Sequence, residues 1–275
     1  MGYLDELFRL EGKTAFLTGG GGVLAGAIGE GLAKAGVRIV FADIAGERAE
    51  EAAQRVINMG GEAIGVGSDV LNVSSMEKTC DEIVSKYSKV DILLNAAGGN
   101  MPGATIAPDK NIFEIDLNDL DKVSDLNFKG TLIPSMVFGK VMSRQSAGGN
   151  IINISSMAAM QAITRVVGYS AAKAAVSNFT MWLAMELAMK FQGRIRVNAI
   201  APGFFIGNQN RALLTNPDGS LTERGQKVIS KTPMGRFGEA HELIGAVLYL
   251  VSEASSFVTG VVLPVDGGFS IFSGV

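Results

Sequence analysis

The sequence predicts an α/β protein: one doubly wound parallel sheet with helices on both faces. Three observations lead there. Short, almost wholly apolar runs recur along the chain, helical stretches of ten or more residues separate them, and a glycine cluster follows the first run directly. Strands covered on both faces read as continuous apolar runs, and parallel neighbours need a crossover helix between them. A glycine cluster at the first strand-to-helix turn makes the expected sheet Rossmann-type.

The elements follow in order. Thr14–Leu17 is the first strand, and a helix runs from about Val23 to Ala35 after the glycines. Val37–Ala42 is the second strand and ends at Asp43; a charged helix covers Gly46 to Met59. The strand Glu62–Gly67 ends in Ser68-Asp69, and the helix Ser74–Tyr87 leads into the strand Val90–Leu94. A long helix over about 118–143, the strand Asn150–Ile154, a helix over about 167–190 and the strand Ile195–Ala199 come next. Residues 204–235 are less periodic and hold the turn signal Asn216-Pro217-Asp218-Gly219, so they are expected to form a substrate lid. The helix Ala240–Val251 and the strand Val261–Val265 close the sequence. No linker, repeat or composition break divides it, which predicts one cofactor-binding and catalytic domain over 1–275.

Composition narrows the function. The 275 residues are 47% hydrophobic, enough for a large core, and the 35 glycines imply many tight turns. A net charge of −3 without a basic run argues against nucleic acid as a partner. No run of 18 apolar residues predicts a membrane span, and the first ten residues carry acidic groups too early for a signal peptide. Cys80 is the only cysteine, so no intramolecular disulfide is possible and a cytoplasmic location is expected. With one His and one Cys, no tight metal site can be built from those ligands alone. His241, at a helix start, reads as a solvated or capping residue.

Two local patterns carry chemistry. Tyr169 and Lys173 are one helical turn apart and share a face. At about 4 Å and an effective dielectric near 20, an ammonium stabilises a phenolate by on the order of 4 kcal/mol. That is up to roughly three pKa units, enough to bring a tyrosine toward working pH as a general acid or base. Most such pairs are only a packed aromatic beside a solvated charge, so the pair gains meaning from its context.

The second pattern is Thr18-Gly19-Gly20-Gly21-Gly22-Val23-Leu24, which suits a dinucleotide pyrophosphate at the helix start. Asp43 ends the second strand where a carboxylate can accept both ribose hydroxyls of NAD. It would repel a 2′-phosphate, and no Arg or Lys lies within the loop or immediately after Asp43, so NAD(H) is expected over NADP(H). Gly12-Lys13-Thr14 is not a P-loop: Leu7 stands where the leading glycine belongs, and the lysine precedes the strand.

With Thr18-Gly19-Gly20-Gly21-Gly22, Asp69-Val70, Asn95-Ala96-Ala97-Gly98, Asn127, Ser156, Tyr169-x-x-x-Lys173 and Arg196-Val-Asn198-Ala-Ile-Ala-Pro202-Gly203, the protein resembles the short-chain dehydrogenase/reductase family over nearly all of residues 10–270. The resemblance implies a catalytic set of Asn127, Ser156, Tyr169 and Lys173, with Tyr169 exchanging a proton with the substrate oxygen. Lys173 would lower the tyrosine's pKa and hold the nicotinamide ribose, Ser156 would bond the substrate oxygen, and Asn127 would anchor a relay water; Ser155 reads as structural. Cofactor contacts would come from Gly19, Gly22, Leu24, Asp43, Asp69, Val70, Asn95, Ala96, Ala97, Tyr169, Lys173, Pro202, Gly203 and Phe205. Two departures stand out. Val23 and Ala25 occupy family glycine positions, and Gly207 stands where the family often has a threonine.

Residues 153–157, 202–205, 208–214, 232–238 and the C-terminal Val-Asp-Gly-Gly-Phe-Ser are similar to one branch of that family, the D-mannonate oxidoreductases or fructuronate reductases. Such a substrate needs a carboxylate receptor. Arg165 and Arg211 are candidates on two sides of the site, with Asn100, Gln209 and Asn210 as hydroxyl-binding amides. Gluconate-type acids, polyols, or a lipid or steroid are alternative substrates, and a non-catalytic NAD-binding scaffold is the alternative from another class. The 12 methionines, with Met181-Trp182 on the helix after Tyr169, suggest an apolar face, and the resemblance implies a homotetramer.

Overall fold

The structure, a computed structural model, describes residues 2–207 and 210–274. After a short helix α1 (Tyr3–Leu7), strands and helices alternate: β1 (Thr14–Thr18), α2 (Val23–Lys34), β2 (Arg38–Asp43), α3 (Gly46–Asn58), β3 (Ala63–Gly67), α4 (Val73–Tyr87) and β4 (Ile92–Asn95). The second half holds α5 (Leu117–Ser124), α6 (Gly130–Arg144), β5 (Gly149–Ile154), α7 (Val167–Lys190) and β6 (Ile195–Pro202). Then come α8 (Arg211–Leu214), α9 (Glu223–Ser230), α10 (Leu243–Val251) and β7 (Val262–Val265). The seven strands form one parallel sheet in the order β3-β2-β1-β4-β5-β6-β7.

Each strand's alternation feeds two cores. Leu17, Phe41 and Leu94 face α2, α3 and α10, whereas Phe16, Val40 and Leu93 face α4, α6 and α7. The Phe16 and Phe138 rings stack at 4.2 Å between sheet and α6. Every residue of β1, β4 and β5 is buried, which is why these strands read as mostly apolar runs, with Thr14, Thr18, Asn95, Asn150 and Asn153 as buried polar exceptions. Cys80 lies inside the second core, where burial pushes its thiol up to about 12 and keeps it unreactive. No helix among the described residues is long and apolar enough to cross a membrane.

The strand order reverses between β1 and β4, so a crevice opens at their carboxyl ends, the place where doubly wound sheets bind ligands. Most element limits agree with the sequence pattern to within a residue or two, and caps set several of them. Asn72 accepts from the Ser75 N–H at 3.0 Å and starts α4.

Three segments differ from expectation. The long helix of residues 118–143 is split by a π turn, Asp125–Lys129. The 204–235 segment is not merely irregular, since α8 and α9 flank an antiparallel bridge, Thr215 to Leu221, around the expected turn at Asn216-Gly219. The expected helix at Ala240 begins as a 3₁₀ turn, Ala240–Glu242, before α10.

Candidate active site

The glycine loop is shaped by what it touches. Gly19 has φ +63°, and a β-carbon there would stand 2.9 Å from the Ala97 backbone, so only glycine fits both constraints. Gly22 caps α2 in an extended conformation without any side-chain cap, leaving the helix start open to an anion. Val23 is the first residue of α2. The left-handed turn is taken at Gly19, so valine at position 23 imposes no strain on the loop. Ala25 packs in the buried face of α2, and Leu24 is partly buried against the same core.

Asp43 closes the loop from the side. Its Oδ2 accepts from the Gly21 N–H and its Oδ1 from the Ala45 N–H, both at 3.1 Å. A β-carbon at Gly21 would stand 2.5 Å from Arg48 Cβ, so an arginine of α3 borders the loop although none follows Asp43 directly in sequence. Asp69 Oδ1 accepts from Leu71 N–H at 2.9 Å, and Val70 packs beside Gly130 in the core.

At the end of β4, Thr18 Oγ1 accepts from both Ala96 and Ala97 N–H, at 3.0 and 3.1 Å, and so pins β4 to β1. Asn95 is fully enclosed and bridges strands: its Nδ2 donates to Asn153 Oδ1 at 2.8 Å and Ser135 Oγ at 2.9 Å. Its role here is to hold the central strands.

Asn127 explains the π turn. Its Nδ2 donates to the Val123 carbonyl, four residues back, at 2.8 Å and to the Gly99 carbonyl at 2.7 Å. Taking the carbonyl that the α-helical ladder needs widens the turn, and inserted polar groups of this kind accompany π bulges. Asn127 Oδ1 also accepts from the Gly99 N–H at 3.2 Å. The amide is therefore spent on the Gly99 backbone and the Val123 carbonyl, and the Asn127 carbonyl accepts from Thr131 Oγ1 at 2.9 Å. A β-carbon at Gly98 would stand 2.6 Å from Asn127 Oδ1 and 3.3 Å from Lys173 Nζ, which brings these catalytic candidates against one loop.

Ser156, Tyr169 and Lys173 converge at the carboxyl end of β5 and the first turns of α7. Tyr169 shares a hydrogen bond with Ser156, whose Oγ also accepts from the Ala158 N–H at 3.1 Å. Lys173 is buried, with Nζ donating to the Ile154 carbonyl at 2.8 Å and standing 5.6 Å from the Tyr169 ring centroid. Ser155 instead shares a 2.6 Å hydrogen bond with Ser177, away from the reacting group.

The electrostatics correct one expectation. Burial pushes the Tyr169 phenol up, while the Ser156 hydrogen bond pulls it down, so the net direction is the reverse of that expected from Lys173. Desolvation outweighs the attraction because the ammonium is turned to Ile154. Burial lowers Lys173 itself to about 8. Its charge is therefore present below pH 8 and lost above it. Ketone reduction, which leaves a phenolate beside that ammonium, is expected to have a level kcat/KM below about pH 8 and to fall above it. A pH–rate profile checks this, and a rise through pH 8 would contradict it.

Pro202 ends β6 opposite Val265, and the Gly203 N–H donates to the Val265 carbonyl at 2.9 Å. Phe205 is buried, bridged to Gly238. In the 204–235 segment, Asn210 Nδ2 donates to the Phe205 carbonyl and its Oδ1 accepts from Gly207 N–H, both at 2.8 Å. Asn210 thus clasps its own loop, contrary to the expectation that it binds a sugar hydroxyl. Asn100 donates to Thr105 Oγ1 at 2.8 Å while its buried Oδ1 has no partner among the described residues. Arg165 lies in the loop between Ser156 and Tyr169, Arg211 is exposed on α8, and Gln209 lies outside the described residues.

Sequence reasoning missed Gly98 and Gly99 as the partners of Asn127, and it missed Arg224. Arg224 donates to Thr164, next to Arg165, and only the fold brings it there.

A family model described as enoyl-(acyl carrier protein) reductase matches residues 22–270. The solved structure of a provisionally assigned D-mannonate oxidoreductase from Haemophilus influenzae, with bound NAD, is 44% identical, has a TM-score of 0.89 and covers 97% of this chain and 98% of its own. A 2-dehydro-3-deoxy-D-gluconate 5-dehydrogenase from Dickeya dadantii is 34% identical over 95% of this chain and 97% of its own length. A provisionally assigned gluconate 5-dehydrogenase from Beutenbergia cavernae, solved with NADP at low occupancy, is 32% identical with a TM-score of 0.82, covering 95% and 98%.

Proposed function

The protein belongs to the short-chain dehydrogenase/reductase family of nicotinamide-dependent oxidoreductases, and on that premise we propose that it interconverts D-fructuronate and D-mannonate, with residues 1–275 acting as one cofactor-binding and catalytic domain. The observation that carries this reading is the convergence of Ser156, Tyr169 and Lys173, with Arg165 on the loop that joins the serine to the tyrosine. The full-length similarity to a provisionally assigned D-mannonate oxidoreductase supports the substrate.

The residues fit a dinucleotide: an uncapped helix start at Gly22, a glycine loop without side chains in the way, and Asp43 at its edge. Bound nicotinamide supplies the hydride in reduction and accepts it in oxidation. Tyr169 gives its hydroxyl proton to the ketone oxygen, and Ser156 holds that oxygen by a second hydrogen bond. Lys173 steadies the phenolate left behind, and its buried position makes that attraction stronger than it is in water. Asn127 keeps the Gly98-Gly99 loop against Lys173.

NAD(H) is the proposed cofactor because the Asp43 carboxylate suits ribose hydroxyls and opposes a 2′-phosphate. Arg48 beside the loop makes the preference reversible. Asp43→Ser is expected to shift the NADH-to-NADPH ratio of kcat/KM by about tenfold or more toward NADPH, and steady-state rates with both cofactors check it.

A homotetramer is the proposed assembly, supported by Met181, Trp182, Met185 and Met189, which are exposed along α7. A gluconate-type 5-keto acid is the second substrate reading, favoured by the two relatives named for oxidation at carbon 5 of such acids. Product analysis separates the two: with excess NADH, D-fructuronate is expected to yield D-mannonate and consume one NADH per turnover. Absence of NADH consumption with D-fructuronate beside turnover of 5-keto-D-gluconate would replace the first reading by the second.

A further inference from the structure

Three segments that leave the carboxyl ends of the strands meet at Thr164 and Arg165, five and four residues before Tyr169: the loop after β4, the loop joining Ser156 to Tyr169, and the lid. The first contributes Ile106, whose N–H donates to the Arg165 carbonyl at 2.9 Å. The last contributes Arg224, in the first turn of α9. Its Nη1 donates to Thr164 Oγ1 at 3.1 Å and its Nη2 to the Thr164 carbonyl at 3.4 Å. Arg165 itself holds a φ of +79°. That conformation is uncommon for a residue with a β-carbon, and such strain clusters at ligand clamps.

Two guanidiniums are thus brought together, and neither forms an ion pair among the described residues. Glu223, next to Arg224, is committed to Lys227, and Arg165 acts on it only as the least of several influences. Arg224 is lowered by burial and then by the charge of Arg165. Cations gathered without a paired counter-ion gain most when an anion joins them, and the arginine fork matches a carboxylate in two parallel hydrogen bonds. Arg211, exposed on α8, has no comparable anchorage among the described residues.

The geometry points to Arg165 and Arg224 as a paired receptor for the substrate carboxylate, with Arg224 borne on the lid so that the acid fastens the lid to the loop carrying Arg165. The inference rests on the sugar-acid reading above, and it adds Arg224 to the residues that decide specificity. A neutral ketose can use Ser156 and Tyr169 but cannot make this bridge.

The test is the KM-against-kcat split for D-fructuronate in Arg224→Gln and Arg165→Gln, with NADH affinity measured on each protein. Loss of a charged hydrogen-bond partner is expected to raise KM about tenfold or more in each variant, with kcat and NADH affinity within about threefold of the parent. Arg224→Lys keeps the charge without the fork and is expected to recover only part of the loss. Should Arg224→Gln fail to fold, Arg224→Lys decides, since an unchanged KM there overturns the proposal. A parent enzyme that turns over D-fructuronate while Arg224→Gln keeps its KM within about twofold overturns the receptor and leaves the substrate reading standing. A parent enzyme active only on neutral ketones overturns both.

Discussion

Tyr169→Phe is expected to lower kcat/KM by a factor on the order of 10²–10⁴ or more while leaving NADH affinity unchanged. The substitution removes one oxygen. The ring stays on α7 with Lys173 Nζ at 5.6 Å from its centroid, so the local packing survives. What is lost is the proton that the ketone oxygen must gain, and the hydrogen bond shared with Ser156 goes with it. Burial keeps the Tyr169 hydroxyl protonated across the working pH range, which suits a donor in the reductive direction. Fluorescence titration with NADH separates the loss of chemistry from a loss of binding. A variant that binds NADH and still turns over at more than about a tenth of the parent rate would remove Tyr169 from its role.

Asn127→Ala is expected to cost both stability and activity. One buried amide makes three hydrogen bonds, to the Gly99 carbonyl, the Gly99 N–H and the Val123 carbonyl. Truncation leaves buried groups of the Gly98-Gly99 loop without partners, at about 1–3 kcal/mol for each. A loss on the order of 3 kcal/mol corresponds to a fall in Tm of roughly 6–12 °C for a chain of this size. Activity falls too, because a loop released from Asn127 no longer lies tightly against Lys173. Asn127→Asp is the sharper control. A carboxylate keeps the size but faces two carbonyls with no donor, so it is expected to be no better than alanine. Thermal melting and kcat/KM, measured on both variants, check the pair of effects, and an unchanged Tm would show that the π turn holds without its amide.

Some features of the molecule are legible in its sequence and others are not, for physical reasons. The strands β1, β4 and β5 announce themselves because they are buried on both faces, and such burial leaves a short, mostly apolar run without polar alternation. Tyr169 and Lys173 are readable because helical spacing is a local rule. The π turn is not, since residues 118–143 have a helical pattern throughout and the turn arises from a bond between Asn127 and Gly99, 28 residues away. The direction of the Tyr169 shift fails for a related reason: pair spacing reports the attraction of a charge, whereas desolvation depends on everything that covers the ring. Arg224 escapes notice because 60 residues separate it from Thr164, and an arginine on a charged amphipathic helix carries no local mark of function. Asn210, by contrast, looks like a ligand-binding amide in sequence, although its groups close the turn at Gly207.

The sharpest single experiment is kcat/KM for D-fructuronate with NADH, measured beside 5-keto-D-gluconate, D-fructose and an NADPH control. The expected value is about 10⁴ M⁻¹s⁻¹ or more for D-fructuronate with NADH, at least about tenfold above each alternative. A higher value for either other ketone would contradict the substrate, and NADH binding without turnover of any ketone would contradict the catalytic reading itself.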